Sequence, residues 1–475
     1  MTIIRKILLF FMAITMYVSL AFSAWAAELP GAEENAVQLP VESSFGIDAT
    51  RALISNDDLA RNTDAAFLFE YSSQTLMYAW NADEAMDPAS MVKIMTAMIA
   101  AEKGTLSDVV VVTESALSTV PLDAVSADLQ VDELLTLEEL LYCMMVGSAN
   151  DAASVIAEHI GGSVEAFVQM MNTRAAELGC TNTNFTNPHG IYEESQYSTA
   201  RDMARILSAA IENDTFAAVF GEIRHQVPAT NKSEERDLSS GNFLMNTDEM
   251  PLYFDERVTG GRTGVAGDGS RCLAAIAQSN GMSLISIVMG SESVYEENGV
   301  KIHSYGSFKE TSALFTAGFD GYKVSQILYP GQSLIQMPVQ NGTSQVVLGP
   351  AESVSAVLPA GISLDNLTFK YEDDVYELAA PVTKGDDVGS LEIWNGGTCI
   401  AETNVYALNN VSAIPTADVT DVETKSIIPH AVIIILIIVL VGVAIALVVR
   451  NFAKIRNIFL RRRSKRYRRS RRRSR

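Results

Sequence analysis

The sequence has few cysteines, few prolines and little glycine for its length. Four cysteines in 475 residues exclude a small domain held together by disulfide bonds. With 30 glycines and 14 prolines, the chain is neither collagen-like nor a proline-rich low-complexity protein. Hydrophobic residues make up 48% of the chain, which excludes a mainly disordered protein. The length predicts about two or three domains of roughly 150 residues each.

Acidic side chains are absent from both ends of the chain, and positive charge is scarce between the ends. Residues 28–449 contain 19 lysines and arginines but all 57 aspartates and glutamates, which leaves a net charge near −38. The tail, residues 450–475, contains 14 lysines and arginines and no acid. The formal net charge of −22 is therefore an average over two unlike parts. The strongly acidic part excludes nucleic acid as a partner.

The N-terminal segment has the features of a secretory signal peptide. Two basic residues precede an apolar run from Ile7 to Leu20, and Ala24–Ala26 match the A-x-A cleavage pattern. We therefore predict a signal peptide over residues 1–26 and a polar spacer over residues 27–46. A retained anchor is the alternative, but the apolar run is shorter than the ~20 residues that a membrane helix needs.

Near the other end, residues 427–449 contain no acidic or basic side chain apart from one histidine. A stretch of this length crosses ~30 Å of hydrocarbon as a helix. The positive-inside rule then places the basic tail in the cytoplasm and the acidic part outside, which predicts a single-pass membrane protein. Binding of the tail to DNA is the alternative, but the adjacent span favours contact with anionic lipids.

Between the two ends, the sequence pattern changes once. Residues 47–322 run from strand-like to helix-like and back to strand-like segments, which predicts an α+β domain. Residues 323–412 consist of short β-branched runs separated by glycine, proline and asparagine turns, which predicts a small all-β domain. Residues 413–426 form an acidic linker to the predicted membrane span.

The first motif whose side chains could carry out catalysis is Ser90-Met91-Val92-Lys93, which opens an apolar run that ends at Ala101. The run predicts a buried helix, with Lys93 one turn after Ser90 on the same face. A serine hydroxyl becomes a nucleophile when a base takes its proton, and a lysine is such a base when burial or nearby cations lower its pKa. Taken alone the motif is weak, because S-x-x-K occurs by chance about once in a chain of this size.

Two further motifs follow in chain order. Ser148-Ala149-Asn150 lies in a turn between two predicted helices, where Ser148 can relay a proton and Asn150 can donate to a substrate amide. Helix capping is the alternative explanation of this motif. In Gly260-Gly261-Arg262-Thr263-Gly264, Arg262 can hold a carboxylate by two charge-assisted hydrogen bonds. A hairpin turn with a solvated arginine is the alternative there.

Together the three motifs match the combination S-x-x-K, S-x-N and K-T-G. The chain thereby resembles the serine-type D-alanyl-D-alanine carboxypeptidases, which are low-molecular-mass penicillin-binding proteins of peptidase family S11. Asn187–Gly190 and Tyr197–Asp202 also resemble segments of that family. The resemblance covers residues 47–320 closely and the predicted β domain loosely. It implies a β-lactamase/transpeptidase-like domain, with an antiparallel sheet and a helical cluster, before the all-β domain and the transmembrane helix.

The resemblance also implies a reaction. The chain would remove the terminal D-alanine from peptidoglycan stem pentapeptides through an acyl-enzyme on Ser90, and β-lactams would acylate the same serine. Lys93 would act as the general base, and Ser148 would pass the proton to the leaving amine. The backbone N–H groups of Ser90 and Val265 would form the oxyanion hole. The implied substrate-binding residues are Asn150, Arg262, Thr263, Gly264 and Val265.

Two positions depart from the family pattern. Arg262 stands where the family usually has lysine; it keeps the cation but cannot give up a proton. Ala266 stands where the family often has threonine, so one hydroxyl contact to the substrate carboxylate is missing. We expect both departures to weaken turnover without abolishing it.

Three other functions share some of these features. A class A β-lactamase also needs an E-x-x-L-N segment, and none occurs between Asn150 and Arg262. A DD-endopeptidase that acts on cross-links would carry the same motifs. A non-catalytic penicillin-binding or cell-wall-binding protein could retain the same fold. No cofactor is implied, no metal site is expected because the five histidines form no H-x-x-x-H pair, and the four cysteines are expected to be buried free thiols.

Overall fold

The computed structural model describes residues 46–415, apart from residues 55–58, 60–61, 249 and 296–301. The predicted signal peptide, membrane span and basic tail lie outside the described residues, as do most of the spacer and linker. Within the described part of the chain, no helix is long and apolar enough to cross a membrane.

The chain up to residue 321 contains eight α-helices and eleven strands among the residues that the structure describes. The strands are β1 (Ala65–Glu70), β2 (Thr75–Trp80), β3 (Val109–Val111), β4 (Leu134–Thr136), β5 (Arg224–Val227), β6 (Arg236–Ser239), β7 (Val258–Val265), β8 (Arg271–Ser279), β9 (Met282–Ser291), β10 (Ser293–Tyr295) and β11 (Ile302–Tyr305). The helices are α1 (Val92–Lys103), α2 (Glu114–Ser118), α3 (Leu137–Met145), α4 (Asn150–Gly161), α5 (Val164–Glu177), α6 (Ala200–Ala210), α7 (Asp214–Phe220) and α8 (Gly306–Gly321).

A five-stranded antiparallel sheet forms the centre of this part, with the strand order β2-β1-β9-β8-β7. Side chains alternate across a strand, so β1 faces two cores. Phe67 and Phe69 pack in the core of the helical cluster, whereas Leu68 packs with Phe315 of α8 on the opposite face. The predicted α+β fold is confirmed, and β7 is an edge strand of its sheet.

The helices around the site begin and end at capping residues that the sequence indicates. The Thr136 hydroxyl accepts from the backbone N–H of Glu139, and the Glu139 carboxylate accepts from the N–H of Thr136, which forms a capping box at α3. The Ser163 hydroxyl caps α5 by accepting from the backbone N–H of Ala166. Gly162 ends α4 with a φ of +79°, a conformation that favours glycine.

Helix α1 lies at the centre of the helical cluster. Nine consecutive residues, from Val92 to Ala100, are buried, as predicted for a helix that is apolar on nearly every face. A 3₁₀ turn over Ala89–Met91 precedes α1. Ser90 therefore lies in this turn and not in the first turn of the α-helix.

The second part of the chain is all-β, as predicted. Its strands are β12 (Tyr322–Leu328), β13 (Ile335–Pro338), β14 (Gln345–Pro350), β15 (Val354–Pro359), β16 (Leu367–Tyr371), β17 (Asp387–Asn395) and β18 (Thr398–Ala407). Five of them form an antiparallel sheet in the order β13-β14-β18-β17-β16, and β12 pairs with β15. All four cysteines of the chain are buried and none forms a disulfide bond, as expected.

Candidate active site

The turn that holds Ser90 is strained and tightly packed. Ala89 has a φ of +47°, which is rare for a residue with a side chain, and the Asp87 carboxylate accepts from its N–H at 2.9 Å. A Cβ at Gly190 would lie 2.0 Å from the carbonyl oxygen of Ala89, and a Cβ at Gly264 would lie 3.0 Å from the nitrogen of Ser90. The two glycines therefore allow a loop and the edge strand to close on the serine from two sides.

The side chain of Lys93 is fully buried beside this turn. Its Nζ lies 3.2 Å from Oγ of Ser90, 2.7 Å from Oδ1 of Asn150 and 2.5 Å from the carbonyl oxygen of His189. Among the described residues, no carboxylate lies within salt-bridge distance of Nζ. Burial lowers the pKa of Lys93 well below its usual value, and the nearby Arg262 cation lowers this pKa further, against a smaller opposing effect of Asp151.

A tight loop places the carbonyl group of His189 within hydrogen-bond distance of Lys93. The Thr96 hydroxyl on α1 donates to the carbonyl oxygen of Pro188 at 2.6 Å, and the Asn187 side chain accepts from the N–H of Gly190 at 2.7 Å. Burial, together with the Lys93 cation, lowers the pKa of His189 to about 3, so its imidazole is neutral at physiological pH. The sequence marked this loop only through its family resemblance, because a backbone acceptor has no residue-type signal.

Both ends of the Asn150 side chain are engaged inside the protein. Its Oδ1 faces Lys93, and its Nδ2 donates to the carbonyl oxygen of Val125 at 2.9 Å. The neighbouring Asp151 carboxylate accepts from the N–H groups of Ala127 and Leu129, which fixes the same loop to the start of α4. In this geometry Asn150 orients the lysine. Its expected donation to a substrate amide stays a prediction.

Ser148 and Arg262 meet beside the nucleophile turn. Ser148 lies between α3 and α4 with a φ of +62°, and its Oγ accepts from Nη2 of Arg262 at 2.6 Å. Nη1 and Nε of Arg262 donate to the carbonyl oxygens of Met145 and Ser90 at 2.9 and 3.3 Å. Burial lowers the pKa of Arg262 to about 10, so the guanidinium stays charged at neutral pH.

The alternative of a solvated arginine at position 262 is wrong, whereas the expected hold of Arg262 on a substrate carboxylate stays a prediction. The side chain is 4% exposed, and each of its nitrogens already donates within the protein. A buried guanidinium satisfies its donors locally, because an unpaired buried charge is costly. The geometry therefore directs Arg262 toward Ser148 and the nucleophile turn.

The remaining predicted residues follow Arg262 on the edge strand β7. Gly264 is buried against the nucleophile turn, Thr263 is half-buried, and Val265 is 52% exposed at the end of the strand. An edge strand presents unpaired backbone N–H and C=O groups, and here it does so beside Ser90. An extended peptide can add to such an edge by backbone hydrogen bonds.

The assembled geometry supports nucleophilic catalysis. A neutral lysine amine has two hydrogens and one lone pair. The carbonyl oxygens of Asn150 and His189 accept both hydrogens, which leaves the lone pair for the hydroxyl of Ser90. Arg262 only donates, so Ser148 accepts from it and keeps its own hydrogen for another acceptor.

Comparison with known proteins agrees with this arrangement. The family model described as D-alanyl-D-alanine carboxypeptidase, peptidase S11, matches residues 53–293. The model described as the C-terminal domain of penicillin-binding protein 5 matches residues 322–413. The two matches correspond to the helix-containing part and the all-β part of the chain.

Individual relatives extend over most of the chain. The D-alanyl-D-alanine carboxypeptidase DacF of Bacillus subtilis is 30% identical over 359 residues, which cover 74% of this chain and 86% of the relative. The D-alanyl-D-alanine carboxypeptidase DacC of Escherichia coli is 30% identical over 358 residues, 73% of this chain and 84% of the relative. The crystal structure of penicillin binding protein 5 from Haemophilus influenzae superposes with a TM-score of 0.61 at 29% identity, over 74% of this chain and 98% of that structure.

Proposed function

The chain belongs to the D-alanyl-D-alanine carboxypeptidase family, peptidase S11, and from this premise we propose that it hydrolyses the terminal D-alanine from peptidoglycan stem pentapeptides. The enzyme is a serine-type hydrolase, and β-lactams are its inhibitors. One observation carries the assignment of roles. Lys93 is fully buried, no carboxylate among the described residues forms an ion pair with it, and its Nζ lies 3.2 Å from Oγ of Ser90.

In the acylation step, neutral Lys93 takes the proton of Ser90 while Oγ attacks the carbonyl carbon between the two D-alanines. The bond from that carbon to the leaving nitrogen breaks, and the nitrogen takes a proton from Ser148. Arg262 supports this transfer, because it holds Ser148 Oγ as an acceptor and leaves the hydroxyl hydrogen for the leaving group. The proton held by Lys93 then restores the hydroxyl of Ser148.

The tetrahedral oxyanion of this step needs preorganised donors. The backbone N–H groups of Ser90 and Val265 are the candidates, since the end of β7 packs directly against the nucleophile turn. In the second step Lys93 takes a proton from water, and the hydroxide attacks the acyl carbon. The bond from that carbon to Oγ of Ser90 then breaks, and the proton held by Lys93 restores the Ser90 hydroxyl. The shortened peptide is released.

Labelled penicillin and a stem pentapeptide test the proposal on the full chain. We expect covalent labelling and release of free D-alanine from wild type, and neither from Ser90→Ala. Ser344→Ala, a change at an exposed serine of the β domain, is the matched control and should behave as wild type. Mass spectrometry of the labelled chain should place the adduct on the peptide that contains Ser90.

The other outcomes separate the alternatives. Absence of Ser90-dependent labelling would overturn the serine-enzyme assignment and favour a non-catalytic cell-wall-binding protein. Labelling without D-alanine release from the pentapeptide would favour a different substrate. Cleavage of a cross-linked dimer in preference to the pentapeptide would favour a DD-endopeptidase.

We also propose that the enzyme is exported and anchored in the bacterial cell membrane, with its basic tail in the cytoplasm. The acid-free N-terminal segment, the apolar residues 427–449 and the basic residues 450–475 support this topology. Truncation after residue 426 should move the penicillin-labelled protein from the membrane fraction to the soluble extracytoplasmic fraction. Retention of the truncated chain in the membrane would contradict the predicted anchor.

A further inference from the structure

A cleft continues along the protein surface beyond the end of the edge strand. Its volume is about 490 Å³, and its lining includes Asp87, Tyr192, Ala266 and Asp268. Ala266 directly follows Val265, the predicted oxyanion-hole residue, and Asp87 precedes Ser90 by three residues. The cleft therefore begins one residue beyond the reacting centre.

The direction of the bound peptide follows from the proposed function, on which this inference rests. The terminal carboxylate lies toward Thr263, and the scissile carbonyl lies at Val265. An extended peptide advances ~3.3 Å per residue along a strand edge. The stem residue before the penultimate D-alanine, the third residue of the stem, therefore lies beside the turn that joins β7 to β8.

That turn forms a fixed wall of the cleft. The carboxylate of Asp87 accepts from the N–H of Gly267 at 2.9 Å, which fastens the turn to the nucleophile segment. A Cβ at Gly267 would lie 2.6 Å from the Tyr192 ring, so the ring contacts the turn directly. Tyr192 is nevertheless 57% exposed, and part of its ring is free for a ligand.

The charged side chains that line the cleft, Asp87 and Asp268, are both acidic. Among the described residues, no lysine, arginine or histidine lies within 4.0 Å of the carboxylates of Asp87 and Asp268. Hydrogen bonds from Ser270 hold the pKa of Asp268 below its usual value, so this exposed carboxylate is ionised at neutral pH. Burial raises the pKa of the nearby Cys272 thiol to about 12, and Asp87 and Asp268 both add to that effect. An aromatic face beside two carboxylates attracts a cation.

We propose that this cleft receives the side chain of the third stem-peptide residue and selects a cationic diamino acid at that position. Asp268 and Tyr192 are the specificity-determining residues. Asp87 contributes its charge while it also holds the nucleophile turn. A peptide whose third residue has a neutral or negative side chain is a poorer substrate, although the same catalytic groups act on that peptide.

The test uses the full chain and two pentapeptides that differ only at the third residue. That residue is L-lysine in one peptide and Nε-acetyl-L-lysine in the other. The measured quantity is the ratio of kcat/KM for D-alanine release. For wild type we expect lysine to be favoured about three- to fivefold, the upper range for a partly exposed ion pair. In Asp268→Asn the ratio should fall toward one, and in Tyr192→Leu it should fall by a smaller factor.

The control is Asp365→Asn, because Asp365 is also an exposed aspartate with a nearby serine contact but lies in the β domain. It should leave the ratio at the wild-type value. The asparagine at position 268 can still accept from the N–H of Ser270, so the turn is retained. The charge reversal Asp268→Lys should favour the acetylated peptide.

Two results would overturn the inference while the proposed function stands: equal kcat/KM for both peptides in wild type, or an unchanged lysine preference in Asp268→Asn. D-alanine release from the acetylated peptide by wild type supports the proposed function independently of the ratio. No release from either peptide would overturn the proposed function and, with it, this inference.

Discussion

The two five-stranded sheets of this chain support very different cores. In the part up to residue 321, the buried side chains include many polar and charged groups, among them Lys93, Asn150 and Arg262. In the β domain the only buried polar side chains among the described residues are Ser390 and Thr398. Both parts use antiparallel strands around apolar cores, so the strand architecture does not account for the difference.

The two parts differ in whether polar groups are buried in the core. A buried polar group lowers stability unless it is hydrogen-bonded, and a buried charge does so still more strongly. Around Ser90 the buried groups satisfy one another through Asn150 and the His189 carbonyl. Burial, and to a smaller extent the nearby Arg262 cation, lowers the pKa of Lys93 there. The β domain shows no such cluster among its described residues, and its core can be apolar throughout.

The largest expected effect comes from removing the buried amine. Lys93→Met keeps a similar volume but removes the general base, so kcat/KM for D-alanine release should fall about 10²- to 10⁴-fold. Lys103→Met, at the exposed end of the same helix, is the matched control and should retain wild-type turnover. Thermal unfolding of both variants shows whether they are folded. Wild-type turnover in Lys93→Met would remove the lysine from the mechanism.

The next effect concerns stability in the β domain. Leu391 is fully buried in β17, so Leu391→Ala should lower the free energy of unfolding by about 2–5 kcal/mol, measured by denaturant titration. Because this core holds no catalytic group, the folded variant should keep the wild-type kcat/KM. Leu364→Ala, at a position that is 44% exposed, should change neither quantity appreciably. A loss of turnover in folded Leu391→Ala would break the contrast between the two cores.

The third prediction concerns the pH dependence of turnover. The Arg262 cation helps to lower the pKa of Lys93, so Arg262→Gln should raise that pKa. Neutral Lys93 is the active form, and the rising limb of kcat/KM against pH should therefore move to higher pH. Loss of the charge-assisted hydrogen bond to Ser148 should also lower kcat/KM about 10- to 100-fold.

The control for this prediction is Arg262→Lys, which keeps the cation and restores the residue usual in the family. Its rising limb should stay near the wild-type position. A rising limb that does not move in Arg262→Gln would show that burial alone sets the pKa of Lys93.

The smallest expected effect is at a helix cap near the site. Thr136→Ala removes the capping hydroxyl of α3 and should lower the free energy of unfolding by about 1 kcal/mol. The helix leads to Met145 and Ser148, but its packing holds it in place, so kcat/KM should stay unchanged. Ser163→Ala at α5 should give a similar loss in calorimetry. A large drop in turnover for Thr136→Ala alone would mean that the cap helps to position Ser148.

Much of the fold could be predicted because it depends on local patterns. The β1–β2 hairpin, the Thr136 capping box and the buried helix after Ser90 all follow from residue spacing and composition. The strands that contain Cys272 and Met282 follow from their apolar runs. The 3₁₀ turn at Ser90 was not predicted, since its positive φ at Ala89 depends on contacts with distant glycines.

The candidate site was predicted less completely. The motifs identified Ser90, Lys93, Ser148, Asn150 and Arg262, and the structure brings all five together. The direction of the Arg262 side chain could not be predicted, because the sequence does not distinguish an exposed guanidinium from a buried one that donates within the protein. The carbonyl groups of Val125 and His189 were missed for a similar reason, as every residue type has a carbonyl.

By itself, the sequence determined the order of the elements, the apolar faces and the identity of the chemical groups, because these depend on neighbours within a turn or a strand. The tertiary structure decided which groups face one another. Lys93 meets partners 57 and 96 residues away, and Arg262 meets Ser148 across 114 residues. Only closure of the sheet and helices buries these groups together. That burial lowers the pKa of Lys93 and turns a common S-x-x-K spacing into a catalytic pair.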